Sequence, residues 1–141
     1  MLLVDVNVHV YAFRSDVPDH ERYAAWLDNV VNGQEAYGAF DLVLSAFLRI
    51  VTHPGIFAAP SPMERALQFV EQIRGGPQCV PIAPGPRHWE IFARLCRTAG
   101  VRGSLVSDAY FAAIAIEHGA EWITTDRDYA RFPGLRWRTP W

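Results

Sequence analysis

Short apolar runs in this chain stop at acids. Met1-Leu2-Leu3-Val4 ends at Asp5, Ser104-Leu105-Val106-Ser107 leads into Asp108, and Trp122-Ile123-Thr124-Thr125 is followed by Asp126 and Asp128. A short apolar run bounded by turn signals has the pattern of a buried strand, and helical spacing fills the intervals between these runs. That alternation predicts an α/β chain, with a mostly parallel central sheet of four to five strands and helices on both faces. Ligands of open parallel sheets bind beyond the carboxyl ends of the strands. The four aspartates are therefore expected to converge in one cleft. Carboxylates that converge repel each other unless a hard cation lies between them or their pKa values rise.

The strands are expected at Leu2–Val4, Phe40–Leu44, Cys79–Ile82 and Glu121–Thr124, with a last edge strand at Leu135–Arg138. Asn7–Phe13 reads as a helical turn. Asp19–Val31 has helical spacing, with Asp16 or Asp19 as its cap. Ala46–Thr52 reads as a short helix that His53-Pro54-Gly55 ends. Ser61 and Glu64 have the spacing of a capping box ahead of a helix through Met63, Leu67, Val70 and Ile73. A helix carries Trp89, Phe92, Leu95 and Cys96, and Val106–His118 is an Ala-rich helix with Gly119 at its C′ position. Tyr129–Phe132 is a turn or short helix. Nothing in the sequence divides the chain, so residues 1–141 are expected to form a single domain.

Half of the residues are apolar and a fifth are charged. This is slightly more apolar than a globular chain needs, and the surplus is either covered by a partner or held within a packed monomer. No apolar run reaches the length of a membrane span. Asp5 interrupts the N-terminal apolar stretch, so no signal peptide is expected and the cytoplasm is the expected compartment. Cys79 and Cys96 lack metal-ligand spacing and are expected to be buried free thiols. The net charge of −2 creates no global field that attracts nucleic acid, so any phosphate contact must be local. All 13 cationic residues counted as Lys or Arg are Arg, which excludes any mechanism that needs a Lys.

Phosphodiester hydrolysis needs an activated water and neutralised charge at phosphorus, and Mg²⁺ or Mn²⁺ supplies both. Such ions take oxygen ligands and need only a few carboxylates. Each acid also has a plainer reading: Asp5 as a turn residue, Asp108 as a first-turn helix acid, Asp126 and Asp128 as a polar loop. Asn7 either holds a carboxylate or water, or caps the helix that follows. Ser107 and Thr125 either orient water or satisfy local backbone groups. His9, His20, His53, His88 and His118 have no paired ligand spacing. Arg49, Arg102 and Arg127 are candidates for RNA phosphate contacts, although Arg49 could instead pair with an acid. Trp26, Trp89 and Phe92 read as core rather than as a base-stacking platform.

Three segments resemble PIN domains. Leu3-Val4-Asp5-Val6-Asn7-Val8 is similar to the family's opening strand. Ser107-Asp108-Ala109-Tyr110 with Ala112-Ala113-Ile114-Ala115 resembles its Asp-Ala helix. Thr124-Thr125-Asp126-Arg127-Asp128-Tyr129 through Phe132 resembles its third acidic motif. The likeness covers nearly the whole chain and is strongest to single-domain VapC-type toxins. Phe47-Leu48-Arg49-Ile50-Val51-Thr52-His53-Pro54 and the ending Phe132-Pro133-Gly134-Leu135-Arg136-Trp137 resemble one subgroup of these.

The resemblance implies an α/β/α sandwich and an endoribonuclease dependent on Mg²⁺ or Mn²⁺. It also implies a homodimer held inactive by a VapB-type antitoxin. By motif, Asp5 and Asp108 would be the main metal ligands, Asp126 would complete the site, and Asp128 would support catalysis from the rim. One departure stands out. The Glu usual in the helix after the second strand falls near Ala46, which cannot bind metal. That favours one firmly held ion, with a second recruited by substrate phosphate.

Two alternatives are weighed beside this reading. A phosphoryl-transfer protein of the haloacid-dehalogenase or receiver type needs a Lys, and the former also needs a second acid where Asn7 stands. A catalytically weak or inactive PIN-like module would instead use its acidic pocket to bind an Arg of a protein partner.

Overall fold

The computed structural model describes residues 1–141. Five strands form one sheet: β1 (Leu2–Val4), β2 (Tyr37–Phe40), β3 (Cys79–Ile82), β4 (Glu121–Ile123) and β5 (Arg136–Arg138), in the order β3-β2-β1-β4-β5. Every neighbouring pair is parallel. The helices are α1 (Val6–Phe13), α2 (His20–Val31), α3 (Asp41–Val51), α4 (Met63–Arg74), α5 (His88–Thr98) and α6 (Leu105–Glu117), and a 3₁₀ turn covers Arg127–Arg131.

Strand periodicity explains the three layers. Successive side chains of a strand point to opposite faces. Leu3 and Trp122 face one way, into the larger core with Leu95 of α5 and Ile114 of α6. Leu2, Tyr37 and Ile123 face the other way, onto Leu27 of α2 and Ile73 of α4. Both faces of the sheet are thus covered, as an all-parallel sheet requires. None of the helices is long and apolar enough to cross a membrane.

The strand order also locates the cleft. The chain runs outward from β1 through β2 to β3, then returns to the other side of β1 for β4 and β5. The β1/β4 boundary is therefore the point where strand order reverses, which is where open α/β sheets bind ligands.

Several expectations are corrected. The second strand is Tyr37–Phe40, not Phe40–Leu44, and α3 already begins at Asp41. Gly38 hides this strand, because glycine weakens the strand pattern. It is needed there: a Cβ at Gly38 would lie 2.2 Å from Leu3 Cδ2 and 2.5 Å from Ile82 Cγ1. The apolar pair Leu105-Val106 belongs to the first turn of α6 and not to a strand, so Asp108 is a first-turn helix acid. The Ser61–Glu64 capping box does not form. Pro62 occupies the N-cap of α4, and Ser61 Oγ instead accepts from Arg14 at 3.0 Å. Asp19 stands at the N-cap of α2 with φ 59° and makes no side-chain cap bond. Trp89 lies outside the core, 70 % exposed. Cys79 and Cys96 are free thiols, half-buried rather than buried.

His9 is fully packed inside, with the Phe47 and Phe69 rings edge-on to it and no partner for its Nδ1. Burial pushes its pKa down to about 4. Below about pH 6.5 the unfolded chain takes up a proton that the folded imidazole refuses, so this contribution is complete above 6.5 and lost toward 4. His9→Leu is therefore expected to gain stability over the parent by roughly 3 kcal/mol between pH 7 and pH 4. Urea midpoints across that range would check this.

Candidate active site

Register carries two polar side chains to one point. β1 and β4 pair with Val4 opposite Ile123, so the next residues, Asp5 and Thr124, emerge side by side. Asp5 N–H still donates to Ile123 O at 2.9 Å, which holds the strands together through that step. Both residues are buried, Asp5 at 6 % exposure and Thr124 at 0 %.

Asp5 is also the N-cap of α1. Its Oδ1 accepts from Val6 N–H at 2.6 Å. Its Oδ2 accepts from the Thr124 hydroxyl at 2.6 Å and from Asn7 Nδ2 at 3.1 Å. Thr124 Oγ1 in turn accepts from Asn7 Nδ2 at 3.1 Å and from Asp126 N–H at 3.0 Å. A hydroxyl offers one donor and two acceptor lone pairs, and Thr124 uses all three. It ties the end of β1, the start of α1 and the Asp126 loop into one unit.

Asp108 projects from the first turn of α6, where the helix dipole favours an anion. The hydroxyl of buried Tyr129 points at its Oδ1 from 3.4 Å. Asp126 caps the 3₁₀ turn, accepting from Asp128 N–H at 2.8 Å. Asp128 is exposed and its carboxylate pairs with Arg131 at 3.0 Å.

Electrostatics shows which acids share one space. Burial pushes the Asp5 carboxyl up to about 6, its hydrogen bonds from Thr124 and Val6 oppose this, and the charges of Asp108 and Asp126 add to the rise. Asp108 is raised by burial and then by Asp126, with a smaller push from Asp128. The Tyr129 hydroxyl is held strongly protonated by burial and by Asp5, Asp108 and Asp126 around it. The structure thus brings Asp5, Asp108 and Asp126 together and leaves Asp128 at the rim, tied to Arg131.

A hard divalent cation fits this donor set. All the donors are oxygens, and Asn7 Oδ1 is a buried oxygen with no hydrogen-bond partner. No three acid, His or Cys side chains close into a preformed cage.

Thr124 and Tyr129, rather than Thr125 and Ser107, are the hydroxyls that touch the acids. A buried polar residue at the end of an apolar strand was the available signal for Thr124. Its partner is visible only once β1 and β4 are known to be neighbours.

The PIN domain family model matches residues 2–135. The chain belongs to the PIN-domain family. Among PIN-domain relatives, it is 41 % identical over 140 residues to VapC ribonuclease Mb2897 of Mycobacterium bovis, covering 99 % of this chain and 95 % of that protein. It is 40 % identical over 136 residues to ribonuclease VapC25 of Mycobacterium tuberculosis, covering 96 % of each. Two solved PIN-fold structures share its architecture. VapBC2 from Rickettsia felis, bound to a promoter DNA fragment, aligns with a TM-score of 0.68 at 17 % identity over 98 % of this chain and 97 % of that one. FitAcB from Neisseria gonorrhoeae aligns with a TM-score of 0.69 at 22 % identity over 100 % and 99 %.

Proposed function

We propose that this PIN-domain protein is an endoribonuclease of the VapC type, the toxin of a toxin–antitoxin pair, and that it depends on Mg²⁺ or Mn²⁺. One observation carries the reading: carboxylates from β1, α6 and the loop after β4 meet at the switch point of the sheet, where burial raises Asp5 and Asp108 and the charge of Asp126 adds to both rises. The 41 % identical VapC ribonuclease relative supports it.

Asp5 and Asp108 would hold the ion, with Asp126 completing the set and Asn7 Oδ1 available to a water. A divalent ion bound there supplies Lewis acidity to the phosphodiester and to the attacking water. Thr124 fixes the Asp5 carboxylate in one orientation, so little reorganisation is needed at the moment of reaction. Asp126, whose Oδ1 is held by Asp128 N–H, would accept a proton through its other oxygen. Arg131 neutralises Asp128 and limits repulsion of the RNA backbone.

The same reading includes a homodimer and a VapB-type antitoxin. A groove of about 500 Å³ lies between α2 and α4, with Leu27, Val31, Phe69 and Ile73 on its apolar side and Asp28, Asn32 and Gln72 also in its lining. It suits the apolar face of an antitoxin helix.

Incubation with single-stranded and structured RNA in Mg²⁺ or Mn²⁺ tests the activity. Asp108→Asn is expected to lower cleavage on the order of 10²–10³-fold and to weaken Mn²⁺ binding in calorimetry. Undiminished cleavage in that variant would remove Asp108 from the mechanism.

A further inference from the structure

Asp5 and Asp108 are held in very different ways. Three donors fix the Asp5 carboxylate, from Val6, Thr124 and Asn7. Asp108 is half-buried on α6, and one group donates to it: the Tyr129 hydroxyl, 3.4 Å from Oδ1. That donor comes from another element. Tyr129 lies in the 3₁₀ turn Arg127–Arg131, which Asp126 caps. Its side chain is fully buried, and its ring packs between Trp122 at 5.5 Å and Phe132 at 5.8 Å. Tyrosine has two side-chain torsions to fix, and a ring packed on both sides fixes them.

We propose that Tyr129 is a positioning residue: its hydroxyl donates to Asp108 Oδ1, selects one orientation of that carboxylate, and so ties α6 to the loop after β4. This rests on the endoribonuclease reading and adds a residue to its machinery. Buried tyrosine hydroxyls find a hydrogen-bond partner. The other deeply buried tyrosine, Tyr37, gives its proton to a backbone carbonyl, Ile73 O, which is a purely structural use. Tyr129 gives its proton to an acid of the site, and the charges of Asp5 and Asp126 lie within reach of the same hydroxyl.

The chemistry favours a phenol at this place. A phenol is a neutral donor, so it occupies one lone pair of Asp108 without cancelling the negative charge that attracts a divalent cation. A cationic side chain here would pair with the acids and compete with that ion. Phenylalanine would fill the same space and leave Asp108 without a donor. The 3.4 Å separation is long for an O–H···O bond, and hydrogen bonds at catalytic sites often tighten only when substrate is bound. A ring needed for the core alone would serve equally well without its hydroxyl, and that difference can be measured.

Tyr129→Phe keeps the ring and removes the hydroxyl. Mn²⁺ binding by the full chain, measured by calorimetry without RNA, should weaken roughly 10–100-fold in this variant. At saturating Mn²⁺, kcat for RNA cleavage should fall roughly tenfold while KM for RNA stays the same, because the lost bond orients an acid and does not grip RNA. Phe132→Leu is the packing control. It loosens the core beside Tyr129 and leaves the hydroxyl, so it should lower the urea midpoint and keep the parental Mn²⁺ affinity. A Tyr129→Phe variant with parental Mn²⁺ affinity and kcat would overturn the positioning role. So would an equal loss of Mn²⁺ affinity in both variants, since packing rather than the hydroxyl would then set the site. The parent protein separates the two failures. If it neither binds Mn²⁺ nor cleaves RNA, the endoribonuclease reading itself is lost. If it does both and Tyr129→Phe matches it, only the positioning role is lost.

Discussion

Asp5→Asn is expected to abolish most RNA cleavage and, in the same molecule, to make the metal-free protein more stable. The loss of activity follows from removing a principal metal ligand and is expected on the order of 10²–10³-fold. The gain in stability follows from burial. Asp5 is 6 % exposed, and its carboxyl is pushed up to about 6 from an ordinary 3.8, first by desolvation. A carboxyl raised in the folded state favours folding below the unfolded pKa, and that benefit is lost as pH rises through the folded value. At pH 7 the folded protein therefore carries a penalty of roughly 3 kcal/mol, and Asn recovers the part of it that exceeds the loss of one acceptor facing Asn7 Nδ2. The advantage of Asp5→Asn over the parent should be largest above pH 6 and vanish near pH 4. Urea unfolding in EDTA across that range checks the sign. Added Mn²⁺ should reverse the order by stabilising only the parent, since a ligand that binds the folded state alone raises its stability.

Removing the Thr124 hydroxyl should cost both stability and activity. In Thr124→Val, the buried Asp5 Oδ2 loses a 2.6 Å donor, while Asn7 Nδ2 and Asp126 N–H lose their shared acceptor. Valine keeps the shape but supplies neither donor nor acceptor. Buried polar groups left unpaired cost about 1–3 kcal/mol each, and a total near 2–4 kcal/mol is expected here after partial relaxation. Cleavage should drop roughly 10–100-fold, as when a group that orients a metal ligand is removed. Thr124→Ser keeps the hydroxyl and should recover most of the activity. A serine variant as weak as valine would show that packing of the methyl, not the hydrogen bonds, matters at this position.

The parts legible in the sequence are those where one signal acted alone. β1 and β3 match their apolar runs, and β4 does so to within one residue; in β1 and β4 strand propensity and burial agree. Gly119 ends α6 with φ 60°, the left-handed C′ position that glycine favours. Where two signals competed, the local one misled. Tyr37-Gly38-Ala39 carries little strand propensity, yet becomes a strand because only glycine fits between Leu3 and Ile82. Leu105-Val106 has the composition of a strand but folds as the first turn of α6. Ser61 has the spacing of a cap but is drawn to Arg14, a residue 47 positions away. At the site, the acids could be named from their place beside apolar runs. Thr124 could not, because its importance comes from being opposite Asp5 across a pair of strands far apart in sequence.

Both open borders of the sheet are blunted, and this restricts how the protein can associate. β3 forms one border and carries Pro81, which has no N–H to offer to an incoming strand. β5 forms the other, and its two arginines are occupied: Arg136 donates to Gly119 O and Arg138 pairs with Glu121. Charge and proline on exposed borders discourage strand-by-strand growth into fibres. A chain accumulated at high concentration is thereby protected from edge-to-edge aggregation, and any specific partner must be met on the helical surfaces.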